Sequence, residues 1–85
     1  MTQELRRKRL LYQSLHRGCK ETDMILGNFA SKYLDKLTDE EIDLYENFIN
    51  EKDWDIYAWI TGSIKLPKKH NNKVVKMIMD DCLDT

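Results

Sequence analysis

The stretch Leu37-Thr38-Asp39-Glu40-Glu41-Ile42-Asp43-Leu44-Tyr45-Glu46-Asn47-Phe48-Ile49 decides the fold class. Thr38 followed three residues later by Glu41 has the form of a capping box. The threonine hydroxyl accepts from the Glu41 amide, and the Glu41 carboxylate reaches back to the Thr38 amide. Leu37 before the cap and Ile42 after it fit a hydrophobic staple. Asp39, Glu40 and Glu41 lie where the positive end of a helix dipole favours carboxylates, so this acidic run already has a structural account. Beyond the cap, Ile42, Tyr45, Phe48 and Ile49 recur at helical spacing, which predicts an amphipathic helix.

The same period extends in both directions. Upstream, Met24, Ile25, Phe29, Tyr33 and Leu37, widened by Leu26 and Leu34, predict a helix over about 20–37. Gly27 inside it costs roughly 1 kcal/mol relative to alanine, and a close helix–helix approach is the simplest reason to tolerate that. Leu5, Tyr12 and Leu15 suggest the apolar face of a first helix over about 4–15, closed where Gly18 adopts a left-handed conformation. Downstream, Asp53 is expected to cap a short helix carrying Ile56, Trp59 and Ile60, ended by Gly62. After a loop over Pro67–Asn72, Val74, Val75, Ile78 and Cys82 mark the apolar side of a last helix. No stretch alternates with period two for long enough to predict a strand. The expectation is an all-α fold, a compact five-helix antiparallel bundle forming a single domain over residues 1–85.

Composition narrows the function. Hydrophobic residues make up 41% and charged residues 34%, which suits a globular helical domain and argues against disorder. With 85 residues the core is thin, and a deep substrate cavity would remove much of what stabilises it. Apolar runs of only a few residues argue against direct membrane insertion. Cys19 and Cys82, 63 positions apart, form no CxxC or zinc spacing and no disulfide framework, as expected in a reducing compartment. Charge is segregated: residues 1–20 hold six Lys or Arg against Glu4 alone, a net +5. The remainder holds eight Lys against fourteen Asp or Glu, a net −6.

Chemistry-bearing residues are sparse. Cys19 has His16 nearby in sequence but no third group to orient a base, so it does not read as a nucleophile. His70 sits in a polar loop beside lysines and reads as solvated. There is no glycine-rich phosphate loop and no metal-ligand spacing, so neither a catalytic residue nor a cofactor or metal site is assigned. A small helical adaptor or a nucleic-acid module using Arg6-Arg7-Lys8-Arg9 is the alternative. Against nucleic acid stand the net charge of −1 and the lack of base-reading Asn or Gln beside those cations. Trp54, flanked by Asp53 and Asp55, is expected to be partly buried. What remains is Arg17-Gly18-Cys19-Lys20-Glu21-Thr22-Asp23. As helix punctuation, Gly18 is a stop, with Glu21 and Asp23 in the next first turn. As a docking site, Gly18 permits close backbone approach, Arg17 offers a planar fork and Glu21 projects one turn away. Physics alone leaves both open.

That segment resembles the RGxxExD signature of the succinate dehydrogenase FAD assembly factors, also called flavinators. The resemblance continues through Met24-Ile25-Leu26-Gly27-Asn28-Phe29-Ala30, similar to the family's apolar run and GxFA. It returns in Asp53-Trp54-Asp55-Ile56-Tyr57-Ala58-Trp59-Ile60-Thr61-Gly62, similar to the family's fourth helix. The resemblance implies a non-enzymatic assembly chaperone. Its partner would be the flavoprotein subunit of succinate dehydrogenase and, in some bacteria, of fumarate reductase. It would promote covalent attachment of FAD to that partner while binding no cofactor itself. It implies partner-binding roles for Arg17, Gly18, Glu21 and Asp23, with secondary contacts from His16 and Lys20. Replacing Arg17 or Glu21 by alanine is then expected to spare the fold and lower flavinylation. A monomer is expected. The chain starts at Met1 without an Arg- and Ser-rich presequence, which suggests the bacterial cytoplasm, or the mitochondrial matrix if the source is eukaryotic.

Overall fold

Five α-helices and two single 3-10 turns lie within residues 3–83, the residues described by the computed structural model. The Met1 start and the tail after Leu83 lie outside the described residues. In chain order the helices are α1 (Gln3–Leu15), α2 (Lys20–Tyr33), α3 (Asp39–Ile49), α4 (Asp53–Thr61) and α5 (Lys73–Leu83). The 3-10 turns are Leu34–Lys36, after α2, and Lys68–His70, before α5. Helix α1 packs along α2 and also meets α3, while α5 lies against α2 and α3 and α4 lies against α2. No strand occurs among the described residues, and none of their helices is long and apolar enough to cross a membrane.

The Thr38 box forms as read from the sequence. Glu41 N donates to Thr38 Oγ1 at 3.2 Å, and Thr38 N donates to Glu41 Oε1 at 2.8 Å. Ile42, Tyr45, Phe48 and Ile49 then turn inward together. Gly62 closes α4 in the left-handed region at φ 83°, as expected. Gly27 marks the close approach that its place in α2 suggested. A Cβ there would sit 2.6 Å from Leu15 Cδ2 and 4.0 Å from the Ser14 carbonyl oxygen, both on α1.

Several elements differ from the sequence reading. Helix α2 tightens into a 3-10 turn after Tyr33 instead of running on to Leu37. The residue capping α4 is Lys52, with Asp53 as the first helical residue and its carboxylate turned to other donors. Most of all, α1 is rotated from its expected face. Leu5, Tyr12 and Leu15 are exposed, whereas Leu10 and Ser14 are fully buried. Ser14 is tolerated because its hydroxyl is satisfied: it donates to the Leu10 carbonyl at 2.8 Å and pairs with the Tyr45 hydroxyl at 2.5 Å. Burial pushes the Tyr45 phenol up to about 12, against the opposing effects of the Ser14 bond and the Arg17 charge. On α2 likewise, Met24 is exposed while Thr22, Leu26, Phe29 and Ala30 form the inner face.

His70 is buried, not solvated. Its ring meets Phe48 edge-on at 5.3 Å and lies 5.4 Å from Trp59, while Nε2 is 2.8 Å from Glu51 Oε2. Hydrogen bonds from Lys69 and then His70 hold the Glu51 carboxyl below its ordinary range. The α4–α5 connection is thereby pinned to the end of α3.

Candidate functional site: the α1–α2 connector

Gly18 is the pivot of the connector. Its φ of 96° lies where a side chain is strained, and nothing approaches within 4 Å of the position a Cβ would take. The chain therefore turns sharply there and leaves an open backbone surface. Helix α2 starts one residue after Cys19 with Asp23 N bonded to the Cys19 carbonyl at 2.8 Å. Asp23 closes the turn in the other direction, since its Oδ1 accepts from the Arg17 amide at 2.7 Å.

Arg17 points inward. Its side chain is only 11% exposed, and its fork is engaged on all three nitrogens. Nε donates to Asp53 Oδ1 at 2.6 Å, Nη2 to the Glu51 carbonyl at 2.7 Å, and Nη1 to the Ile49 carbonyl. Ile49 is the last residue of α3, so a cation sits at the negative end of that helix and satisfies a carbonyl that has no partner within it. The guanidinium ties the α1–α2 connector to the α3–α4 connector. Three of its five N–H groups are engaged in this way, and the side chain also lines an open depression on the surface.

Glu21 and Lys20 are exposed on the first turn of α2. Cys19 Sγ lies 3.4 Å from Glu21 Oε2, whereas the His16 imidazole stacks on Tyr12 at 4.3 Å instead of meeting the thiol.

Across from Glu21 lies a feature that sequence reasoning placed differently. Trp54 is 82% exposed, not partly buried. With Tyr57, Asp53, Cys19 and Glu21 it lines a groove of about 380 Å³. A second, more open depression is lined by Arg17 itself with Tyr12, His16, Asn50 and Glu51 among others. Flanking acidic residues gave the only sequence sign that Trp54 faces outward.

The basic run near the N-terminus has internal partners. Arg6 pairs with Asp43 and Glu46 at 2.6 Å each, and Arg9 with Glu46 at 3.2 Å. Arg7 donates to the Leu34 and Leu37 carbonyls at the turn after α2. These guanidiniums fasten α1 to α3 and to that turn, which explains their clustering without a polyanion.

Known proteins share this arrangement of sequence. The family described as flavinator of succinate dehydrogenase matches residues 8–82. The chain belongs to that flavinator family. Succinate dehydrogenase assembly factor 2, mitochondrial, of Scheffersomyces stipitis is 44% identical over a match covering 94% of this chain and 56% of that protein. The proteins of the same name from Saccharomyces cerevisiae and Candida glabrata are 47% and 44% identical, each over 88% of this chain. The match covers 49% and 52% of those two, so this flavinator chain spans about half the length of the curated relatives it matches.

Proposed function

We propose that this chain binds the flavoprotein subunit of succinate dehydrogenase and promotes covalent attachment of FAD to it. The observation that carries the proposal is the placement of the family's RGxxE segment. Gly18 and Glu21 lie exposed, Glu21 lining one groove with Trp54, on a connector held in shape by Arg17 and Asp23. A rigid protruding turn with an acidic tip and an aromatic neighbour is suited to docking on a protein surface, where buried Trp and Tyr anchors carry much of the affinity.

In this reading Gly18 and Glu21 touch the partner, with Lys20 and His16 at the margin. Arg17 and Asp23 serve the interface by fixing the connector. The chain performs no chemistry of its own and holds no cofactor. It favours the partner conformation in which flavin attachment proceeds, by as much as it binds that conformation more tightly than the alternative. The flavoprotein subunit of fumarate reductase is a second client in bacteria that make it. The chain acts as a monomer in the compartment where its client matures, the bacterial cytoplasm or, in a eukaryote, the mitochondrial matrix.

Co-purification tests the partner. The tagged chain, expressed in cells of its own source lacking the native copy, should retain the flavoprotein subunit. Glu21→Ala should lose it while remaining folded. Failure of the unmodified chain to retain the subunit overturns the proposal.

A further inference from the structure

A single oxygen organises both walls of the groove. Asp53 Oδ1 accepts from Arg17 Nε at 2.6 Å and lies 3.3 Å from Thr22 Oγ1, whose one proton is shared between this oxygen and the Cys19 carbonyl at 3.2 Å. Arg17 and Thr22 flank the four residues Gly18–Glu21, so both ends of the proposed docking segment are fastened to one atom. That atom belongs to the first residue of α4. The next residue is Trp54, and Tyr57 follows one turn later. The Asp53 carboxylate thus sets the spacing between the α2 wall, Cys19 and Glu21, and the α4 wall, Trp54 and Tyr57. At 28% exposure its side chain forms only a small part of the groove lining, and its carboxylate is turned to Arg17 and Thr22, placed to act mainly through those neighbours.

We infer that Asp53 is a positioning residue for partner docking, holding Gly18–Glu21 and Trp54 in the relative geometry that the flavoprotein subunit recognises. This rests on the docking role proposed above. A merely stabilising Asp53 would lower the melting temperature without changing the affinity of the folded molecules. A positioning Asp53 changes that affinity, and does so through Arg17. Residues sharing one network are coupled, so removing both partners costs less than the two separate losses together.

The test uses the full chain as Asp53→Ala, Arg17→Ala, the double variant, and Ile78→Val as a stability control in the core of α5. Each is titrated with flavin-free flavoprotein subunit well below its melting temperature, and the amide resonances of Gly18 and Glu21 are recorded without partner. Asp53→Ala should weaken binding about tenfold or more and shift both amides. The double variant should bind within about twofold of Arg17→Ala alone. Ile78→Val should melt lower yet bind as the unmodified chain does. Should Asp53→Ala not fold, Asp53→Asn keeps the side-chain shape and a neutral acceptor, and a several-fold loss with the same amide shifts is expected. Unmodified affinity in the Asp53 variant, additive losses, or unmoved Gly18 and Glu21 amides overturn the inference. If the unmodified chain itself fails to bind, the docking reading falls, while the amide shifts still decide whether Asp53 sets the connector.

Discussion

Replacing Arg17 by alanine is expected to damage the fold before it damages the interface. The side chain is 11% exposed and donates to Asp53, to Glu51 and to Ile49. Hydrogen bonds involving a charged group contribute about 1.5–3 kcal/mol each, but three made by one group do not add in full. Asp53, 28% exposed and still holding Thr22, regains part of its hydration when the cation goes. A loss of about 3 kcal/mol is therefore expected. A chain of 85 residues has roughly 4–13 kcal/mol of stability in total. At about 4–8 °C per kcal/mol, the melting temperature should fall by about 12–24 °C. Thermal unfolding followed by circular dichroism reads this directly, and Arg17→Lys, which keeps the charge and loses the fork, should fall between. A melting temperature for Arg17→Ala within about 3 °C of the unmodified chain would show that the guanidinium does not hold the two connectors together. This differs from the expectation, carried by the family resemblance, that the variant would leave the fold intact.

Three further outcomes follow from the packing. Thr38→Ala, which removes the hydroxyl half of the α3 capping box, should cost about 1 kcal/mol by urea denaturation; an unchanged midpoint would contradict the capping role. The Glu51 carboxyl is held low by Lys69 and His70, and Glu41 by the Thr38 amide and then Lys73. As pH falls past the ordinary glutamate value of 4.5, the unfolded chain takes up these protons first. Their stabilisation is thus complete above that value and is lost as pH drops through the lowered folded values. Glu51→Gln should flatten the acid side of the urea-midpoint profile, and a profile parallel to the unmodified chain's would refute the pairing. Gly27→Ala should be nearly neutral, because a helix gain of roughly 1 kcal/mol meets only the movable end of the half-exposed Leu15 side chain. Gly27→Leu should cost about 1–3 kcal/mol, and full stability of that variant would deny the close approach of α1 and α2.

What the sequence displayed and what it concealed divide by the range of the interactions. The α3 cap, the Gly62 stop and the Gly18 turn depend on residues within a few positions of one another, and each was readable as a pattern. The inner face of α1 was not. Leu5, Tyr12 and Leu15 make as good a helical stripe as Leu10 with Ser14. The choice is settled by Tyr45, 31 positions from Ser14, which supplies the serine's buried partner, and by Glu46, 40 positions from Arg6. His70 looked solvated beside its lysines because the rings that cover it, Phe48 and Trp59, are distant in sequence. The site divides the same way. The RGxxE segment was visible as a motif, and Glu21 is exposed as expected. The engagement of Arg17 was hidden because its acceptors lie 32–36 positions away. The outward face of Trp54 was hidden for a related reason: helical spacing alone does not tell which residues of a short helix the rest of the bundle leaves uncovered.

The central claim is that this chain promotes covalent flavin attachment through the face carrying Gly18, Glu21 and Trp54. Its most direct measurement is a reconstitution. Flavin-free flavoprotein subunit of succinate dehydrogenase is incubated with FAD, with and without the chain, and covalent flavin is read as fluorescence in a denaturing gel. The expected result is a marked rise in the covalent band with the unmodified chain, and a band near the background level with Glu21→Ala at unchanged melting temperature. Equal bands with and without the unmodified chain would contradict the claim.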